Sequence, residues 1–212
     1  MKSVLVFTPV LRLEPETVRA LMALEWPGPL SMLLQRDNPS GDRVRDHLHQ
    51  YQRGREAFLR GPYDAMLVVE ADIVPPADTL IELASLDCDV AYGCTVFRNK
   101  AWSHVVNILE RYPGQARNTG ESLTIRGLWQ EALRQGVIEC SGSGLACVLI
   151  KRHVLEAIEF RVEDGTYCDN WWTRDVYAAG YTMKASTRVL CDHIDEDGTV
   201  LRPEPMEKER VS

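Results

Sequence analysis

Several marks of familiar protein classes are missing from this 212-residue chain. Its cysteines, Cys88, Cys94, Cys140, Cys147, Cys168 and Cys191, form no C-x-x-C pair and show no zinc-site spacing. They read as reduced, mostly buried thiols of a cytoplasmic protein. No run of about 18 apolar residues occurs, which excludes a transmembrane helix. The opening MKSVLVFTPVLRL starts like a secretion signal, but Pro9 and Arg12 interrupt it and no small-residue cleavage site follows. Positive charge is also short: 24 Lys and Arg face 31 Asp and Glu, a net charge of -7. That balance excludes a general nucleic-acid binder, which must neutralise many phosphates at once. No glycine-rich loop follows the first apolar run, which argues against a dinucleotide-binding fingerprint.

No Gly/Ser-rich, Pro-rich or single-sign linker divides the chain and no internal repeat is found, so one domain is expected over residues 1–195. A charged, proline-containing tail follows at 196–212. The hydrophobic share of 45% with 26% charged residues is that of an ordinary globular domain.

Apolar runs and helical stripes alternate along it. Residues 3–8 read as a buried strand closed by Pro9, residues 14–25 as a helix with Pro15 in its first turn, and residues 30–37 as a second strand. Over 42–60 a helical stripe joins Val44, Leu48, Tyr51 and Phe58, with Arg55 in the same phase. Strands follow at 64–71 and 88–97 around a helix at 75–86. Residues 98–136, with loop signals and a predicted helix over 125–136, read as an excursion from the sheet. Two strands separated by the turn SGSG, two helices and a last strand over 182–194 complete the order. Alternation of this kind implies an α/β sheet, mixed but mainly parallel, flanked by helices.

Acidic-x-acidic triplets occur five times, and roughly four or five are expected by chance at this composition, so position must decide among them. Ligands of open α/β sheets bind beyond the carboxyl ends of the parallel strands. Glu14/Glu16 opens a helix, Asp87/Asp89 precedes its strand, and Glu207/Glu209 lies in the tail. Glu70 and Asp72 alone directly follow a strongly apolar strand, in MLVVEADIVPP, with Asp195/Asp197 second. Two carboxylates side by side repel unless a cation sits between them, and hard oxygen ligands suit Mn2+ or Mg2+.

The order of these segments resembles a GT-A fold (Rossmann-like) glycosyltransferase, broadly family-2-like, in which an acidic DxD motif holds a metal against the diphosphate of a nucleotide sugar. Here Glu-Ala-Asp, residues Glu70, Ala71 and Asp72, stands in its place, with glutamate where aspartate is usual. The resemblance implies Thr8, Pro9 and Val10 in a nucleotide-cradling turn, Asp37 near the base or ribose, and Arg53 or Arg55 as a basic contact. It also implies Ser143 and Gly144 beside the donor sugar and His193 as a late metal ligand.

The implied function is transfer of a sugar from a nucleoside-diphosphate donor, a UDP- or GDP-sugar, to an acceptor hydroxyl with inversion. Asp169 is the expected general base, with Asp175 in reserve; the alternative for Asp169 is the N-cap of a helix starting at Asn170. Trp171 and Trp172, adjacent on a helix, point about 100° apart. One belongs in the core, and the other, with Trp102, could stack on an acceptor sugar. Two other functions fit the same residues: a nucleotide- or sugar-binding module without turnover, and a sugar-phosphate nucleotidyltransferase.

Overall fold

A computed structural model describes residues 1–97, 100–104, 106–108 and 136–202. The first strand, β1 (Val4–Pro9), is buried at all six positions, as expected of a β-branched and aromatic run covered on both faces. It is followed by α1 (Pro15–Met22), which has proline in its first turn, and β2 (Leu30–Gln35). Next comes α2 (Arg43–Arg60), capped by the Asp42 carboxylate, which accepts the Arg45 N–H at 2.9 Å. Then come β3 (Ala65–Val69), β4 (Ile73–Val74), α3 (Thr79–Ser85), β5 (Val90–Cys94) and β6 (Val96–Phe97). Two strands cross the expected excursion, β7 (Lys100–His104) and β8 (Val106–Ile108). The rest is β9 (Val137–Ser143), β10 (Cys147–Lys151), α4 (Arg152–Ala157), α5 (Cys168–Ala178), β11 (Met183–Leu190), β12 (Asp192–Ile194) and β13 (Val200–Leu201).

The main sheet has the order β2-β1-β3-β10-β5-β11-β9-β8. All strands run one way except β10 and β9. The sheet is therefore mixed, and β10 is wedged antiparallel between β3 and β5, with Leu149 opposite both Leu67 and Ala91. Because β8 extends the sheet edge, the segment after residue 97 is not wholly an excursion. The predicted helix over 125–136 falls almost entirely outside the described residues.

Side-chain alternation builds a core on each face. Leu5 and Phe7 of β1 join Tyr51, Phe58, Trp172 and Val176 beneath α2 and α5. Val4 and Val6 join Leu21, Leu80 and Leu83 beneath α1 and α3. Each such side chain contributes about 1.5–3 kcal/mol on burial. Gly54 lets α2 lie close on β1: a β-carbon there would stand 2.6 Å from the Phe7 ring.

The small sheet β13-β12-β4 sets up the site. In it β12 pairs antiparallel with β4, His193 opposite Ile73, and the Ile194 N–H donates to the Asp72 carbonyl at 2.8 Å. This register carries the end of the chain across the carboxyl end of β3. All six cysteines are free and buried. Among the described residues no helix is long and apolar enough to cross a membrane.

Candidate active site

A cleft of about 990 Å³ opens at the carboxyl ends of β1 and β3, between α2 and the start of α5. Glu70, Ala71, Asp72, Asp169 and His193 all line it. A second hollow of about 780 Å³, beside Trp26 and Ile81, offers one ionisable side chain, Glu25. Acid–base and metal chemistry therefore belong to the first.

His193 is oriented from behind. Its Nδ1 lies 2.7 Å from the Val96 carbonyl, which can only accept, so the ring proton sits on Nδ1. Nε2 then faces Asp72 Oδ2 at 3.8 Å. A carboxylate and a ring nitrogen held this way favour a cation or a proton between them. Backbone anchoring of the far ring nitrogen is also how metal-binding histidines are held.

Glu70 belongs to a different cluster. Its Oε1 accepts the phenol of buried Tyr51 at 3.3 Å and lies 3.7 Å from His47 Nε2. Burial, then the charges of Glu70, Cys168 and Asp169, push the Tyr51 phenol well above its ordinary range, so it remains a neutral donor. Burial, then Asp169 and Glu70, likewise push the Cys168 thiol up. Its sulfur lies 3.3 Å from His47 Nδ1, while Nε2 of the same ring faces Glu70.

The expected triad of Glu70, Asp72 and His193 around one ion is thus not assembled, because Tyr51 and His47 draw Glu70 aside. Among the described residues no three His, Cys, Asp or Glu side chains group as a metal site. What fits a divalent cation is the pair Asp72 and His193. Magnesium-like ions commonly take one or two protein ligands, with substrate phosphates and water completing the shell.

Across the cleft, Asp169 stands in the first turn of α5, which begins at Cys168; it is not the N-cap. Its Oδ1 accepts the Asn170 N–H at 2.8 Å, and its Oδ2 lies 3.7 Å from where a β-carbon on Gly144 would stand. The carboxylate therefore sits over the turn between β9 and β10. Ser143 is buried, and its carbonyl accepts the Thr173 hydroxyl at 3.2 Å. Tyr167, exposed at the mouth, meets the His47 ring edge-on at 5.3 Å. Arg12 donates to the carbonyls of Glu196 and Asp195 at 2.8 and 3.0 Å, and Arg43 lies 3.6 Å from the Glu196 carboxylate. Together they tie the loop after β12 to the cleft rim. Asp195 and Asp197 are used inside that loop, accepting the N–H groups of Glu196 and Thr199.

At the β1 end, Pro9 lines the cleft while Thr8 and Val10 are buried. The Val10 carbonyl accepts from Gln50 Nε2 at 3.1 Å and from Asn38 Nδ2 at 3.4 Å. Asp37, beyond the end of β2, lies at the surface 3.1 Å from His49 Nε2.

Four expectations are corrected. Arg55 spends its guanidinium on the Leu155 and Glu156 carbonyls of α4, at 2.6 and 3.3 Å, away from the cleft. Arg53 pairs with Glu56 on the outer face of α2. Asp175 is gripped by both ends of the Arg161 guanidinium, at 2.6 and 2.8 Å, and so serves structure. Trp172 is fully buried and stacked on Phe160, while Trp171 is capped by Arg161 and Arg174, so neither can stack on an acceptor. The Trp102 side chain lies outside the described residues.

His47, Gln50, Tyr51, Tyr167, Arg12 and Arg43 were not singled out from sequence as site residues. Four of them lie on α2: Arg43 at its start, and His47, Gln50 and Tyr51, whose i, i+3, i+4 relation marks one face.

The β2-β1-β3 half, the antiparallel β10 and a cleft at the strand ends define a GT-A-like α/β fold. Among solved structures, A197 from STIV superposes with a TM-score of 0.58 at 15% identity, over 97% of this chain and 96% of that one. S. aureus TarS 1–349 superposes with a TM-score of 0.50 at 13% identity, over 87% of this chain and 58% of that one. The chain thus spans a little over half of that TarS fragment, whose structure in complex with UDP-GlcNAc gives a TM-score of 0.48 at 12% identity. No family profile matches this chain, and no curated protein matches it in sequence.

Proposed function

We propose that this protein is a metal-assisted glycosyltransferase that moves a sugar from a nucleoside-diphosphate donor to an acceptor hydroxyl with inversion. The observation that carries the proposal is the His193–Asp72 pair, 3.8 Å apart at the carboxyl end of β3, in one cleft with Asp169.

A divalent ion on this pair would stabilise the charge that develops on the departing diphosphate. Asp72 and His193 Nε2 would hold it, with the donor phosphates and water as remaining ligands. Asp169 takes the proton of the acceptor hydroxyl; the acceptor oxygen bonds to the anomeric carbon as the bond to the diphosphate oxygen breaks. The nucleoside diphosphate leaves with that electron pair. Tyr51 and His47 position Glu70 beside the donor, as a polar wall of the cleft.

Incubation with Mn2+ and a panel of UDP- and GDP-sugars tests the proposal. Slow release of free nucleoside diphosphate, lost in Asp72→Ala, is the expected result. No release and no binding of any donor by the folded protein would overturn it. Binding without release in the presence of acceptor panels would leave a sugar-nucleotide-binding module.

A further inference from the structure

The geometry points to Gln50 as the residue that selects the donor's nucleobase, favouring a ring with an N–H on its pairing edge, uracil or guanine, over cytosine or adenine. This inference rests on the nucleotide-sugar function proposed above and adds its base specificity.

Gln50 is 2% exposed and lines the cleft at the β1 end. Its amide orientation is fixed by its neighbours. Nε2 donates to the Val10 carbonyl at 3.1 Å and, in a short contact, to Asn38 Oδ1. Asn38 is itself oriented by two carbonyls, those of Val10 and Arg36, each 3.4 Å from its Nδ2. Flipping either amide would set oxygen against oxygen. Gln50 Oε1 is therefore the atom left over, and among the described residues no donor reaches it. It is not among the sealed, unsatisfied side-chain atoms of the structure, so it opens on the cleft that the residue lines. A buried acceptor of this kind demands a donor from whatever fills the site.

The strand order places this acceptor. The ends of β2, β1 and β3 lie side by side at about 4.8 Å spacing. A diphosphate at Asp72, beyond β3, directs the nucleoside toward β1 and β2, where Gln50 waits. Uracil and guanine present a ring N–H in the middle of their pairing edge. Cytosine and adenine present a bare ring nitrogen there, which would set lone pair against lone pair. Asp37, just beyond the end of β2, is exposed and engaged with His49, so it does not fill this role.

Equilibrium binding of UDP, GDP, CDP and ADP with Mn2+, alongside N3-methyl-UDP and N1-methyl-GDP, tests the assignment in the unaltered protein. UDP or GDP should bind about tenfold or more tighter than CDP and ADP, and methylation of its ring N–H should remove that advantage. The two methylated ligands show which base is used. In Gln50→Met the penalty for methylation should collapse, whereas a purely structural role for Gln50 would weaken both ligands of a pair equally. Equal binding of the parent and methylated nucleotides by the unaltered protein, or a penalty that persists undiminished in Gln50→Met, overturns the assignment alone. Failure of all four nucleotides to bind overturns the nucleotide-sugar function and this assignment with it.

Discussion

His193 faces Asp72 at 3.8 Å while its other ring nitrogen is held by the Val96 carbonyl at 2.7 Å, so β12 brings a ring to the carboxyl end of β3. On the proposed metal assignment, His193→Ala should weaken Mn2+-dependent nucleotide binding at least about 10–100-fold, the range that loss of even an outer-shell partner costs. His193→Gln, which keeps a donor toward Val96, should recover the thermal stability but not the metal dependence. Calorimetric titration with and without EDTA checks both; unchanged Mn2+ dependence in His193→Ala would remove the ion from this pair.

Asp169→Asn should leave donor binding within about twofold and lower transfer by about 10²–10⁴. The amide retains the contact with the Asn170 N–H but cannot take a proton. Separate measurement of the donor Kd and of single-turnover transfer distinguishes this from a folding defect; full transfer by the variant would exclude Asp169 as base.

Arg55→Ala should lower stability by about 1.5–3 kcal/mol, since it frees two carbonyls at the end of α4. Nucleotide affinity should not change. Urea unfolding and a binding titration on the same sample give both values, and a selective loss of affinity would return Arg55 to the cleft.

Gly54→Ala places a methyl 2.6 Å from the Phe7 ring, so α2 must move off β1 or the ring must turn. A cost of about 1–3 kcal/mol follows from overpacking. Because α2 also carries His47, Gln50 and Tyr51, nucleotide binding should fall with stability, a coupling that Arg55→Ala lacks.

Asp64 makes acid stability testable at the start of β1. The Ser3 N–H at 2.9 Å, then the Lys2 N–H at 2.6 Å, hold its carboxyl below the usual range. A carboxyl depressed on folding contributes stability that is fully present above its unfolded value, near 3.9, and is lost as pH falls through the folded value. The stability gap between the unaltered protein and Asp64→Asn should therefore be constant from pH 7 to about 5 and close below about pH 4. Urea midpoints across that range check it; a gap that widens on acidification would contradict the sign.

Much of the sheet was legible in the sequence because β1, β3 and β10 are built on the apolar runs VLVF, AMLVV and CVLI, buried on both faces. The direction of β10 was not, since an antiparallel wedge between β3 and β5 is set by partners distant in the chain. Strand position singled out Glu70 and Asp72, and both line the cleft, but their separate contacts were hidden: nothing local says that Tyr51 and His47 face Glu70 while His193 faces Asp72. The stripe on α2 was read too narrowly: Tyr51 and Phe58 are buried and Leu48 packs on the core, as expected, but the buried face is wider. Asp46, Gln50 and Gly54 are buried along with Tyr51 and Phe58, because Asp46 bonds Ser40 and Gln50 bonds Val10. A reading that counts polar residues as solvent-facing therefore passes over the very face that lines the cleft, and it sends Arg55 inward when its partners are on α4.

The wedge of β10 also bears on assembly order during synthesis. β3 and β5 never touch along their edges; residues 147–151 stand between them. Until that stretch has left the ribosome, the β2-β1-β3 ribbon ends in a raw border at β3, and β5 lacks both of its main-sheet partners, each edge open to other chains. The joining of β5 to the β2-β1-β3 half thus waits on a latch made some fifty residues after it, and mutations that weaken Leu149 or its neighbours should show first as poor yield and only then as poor activity.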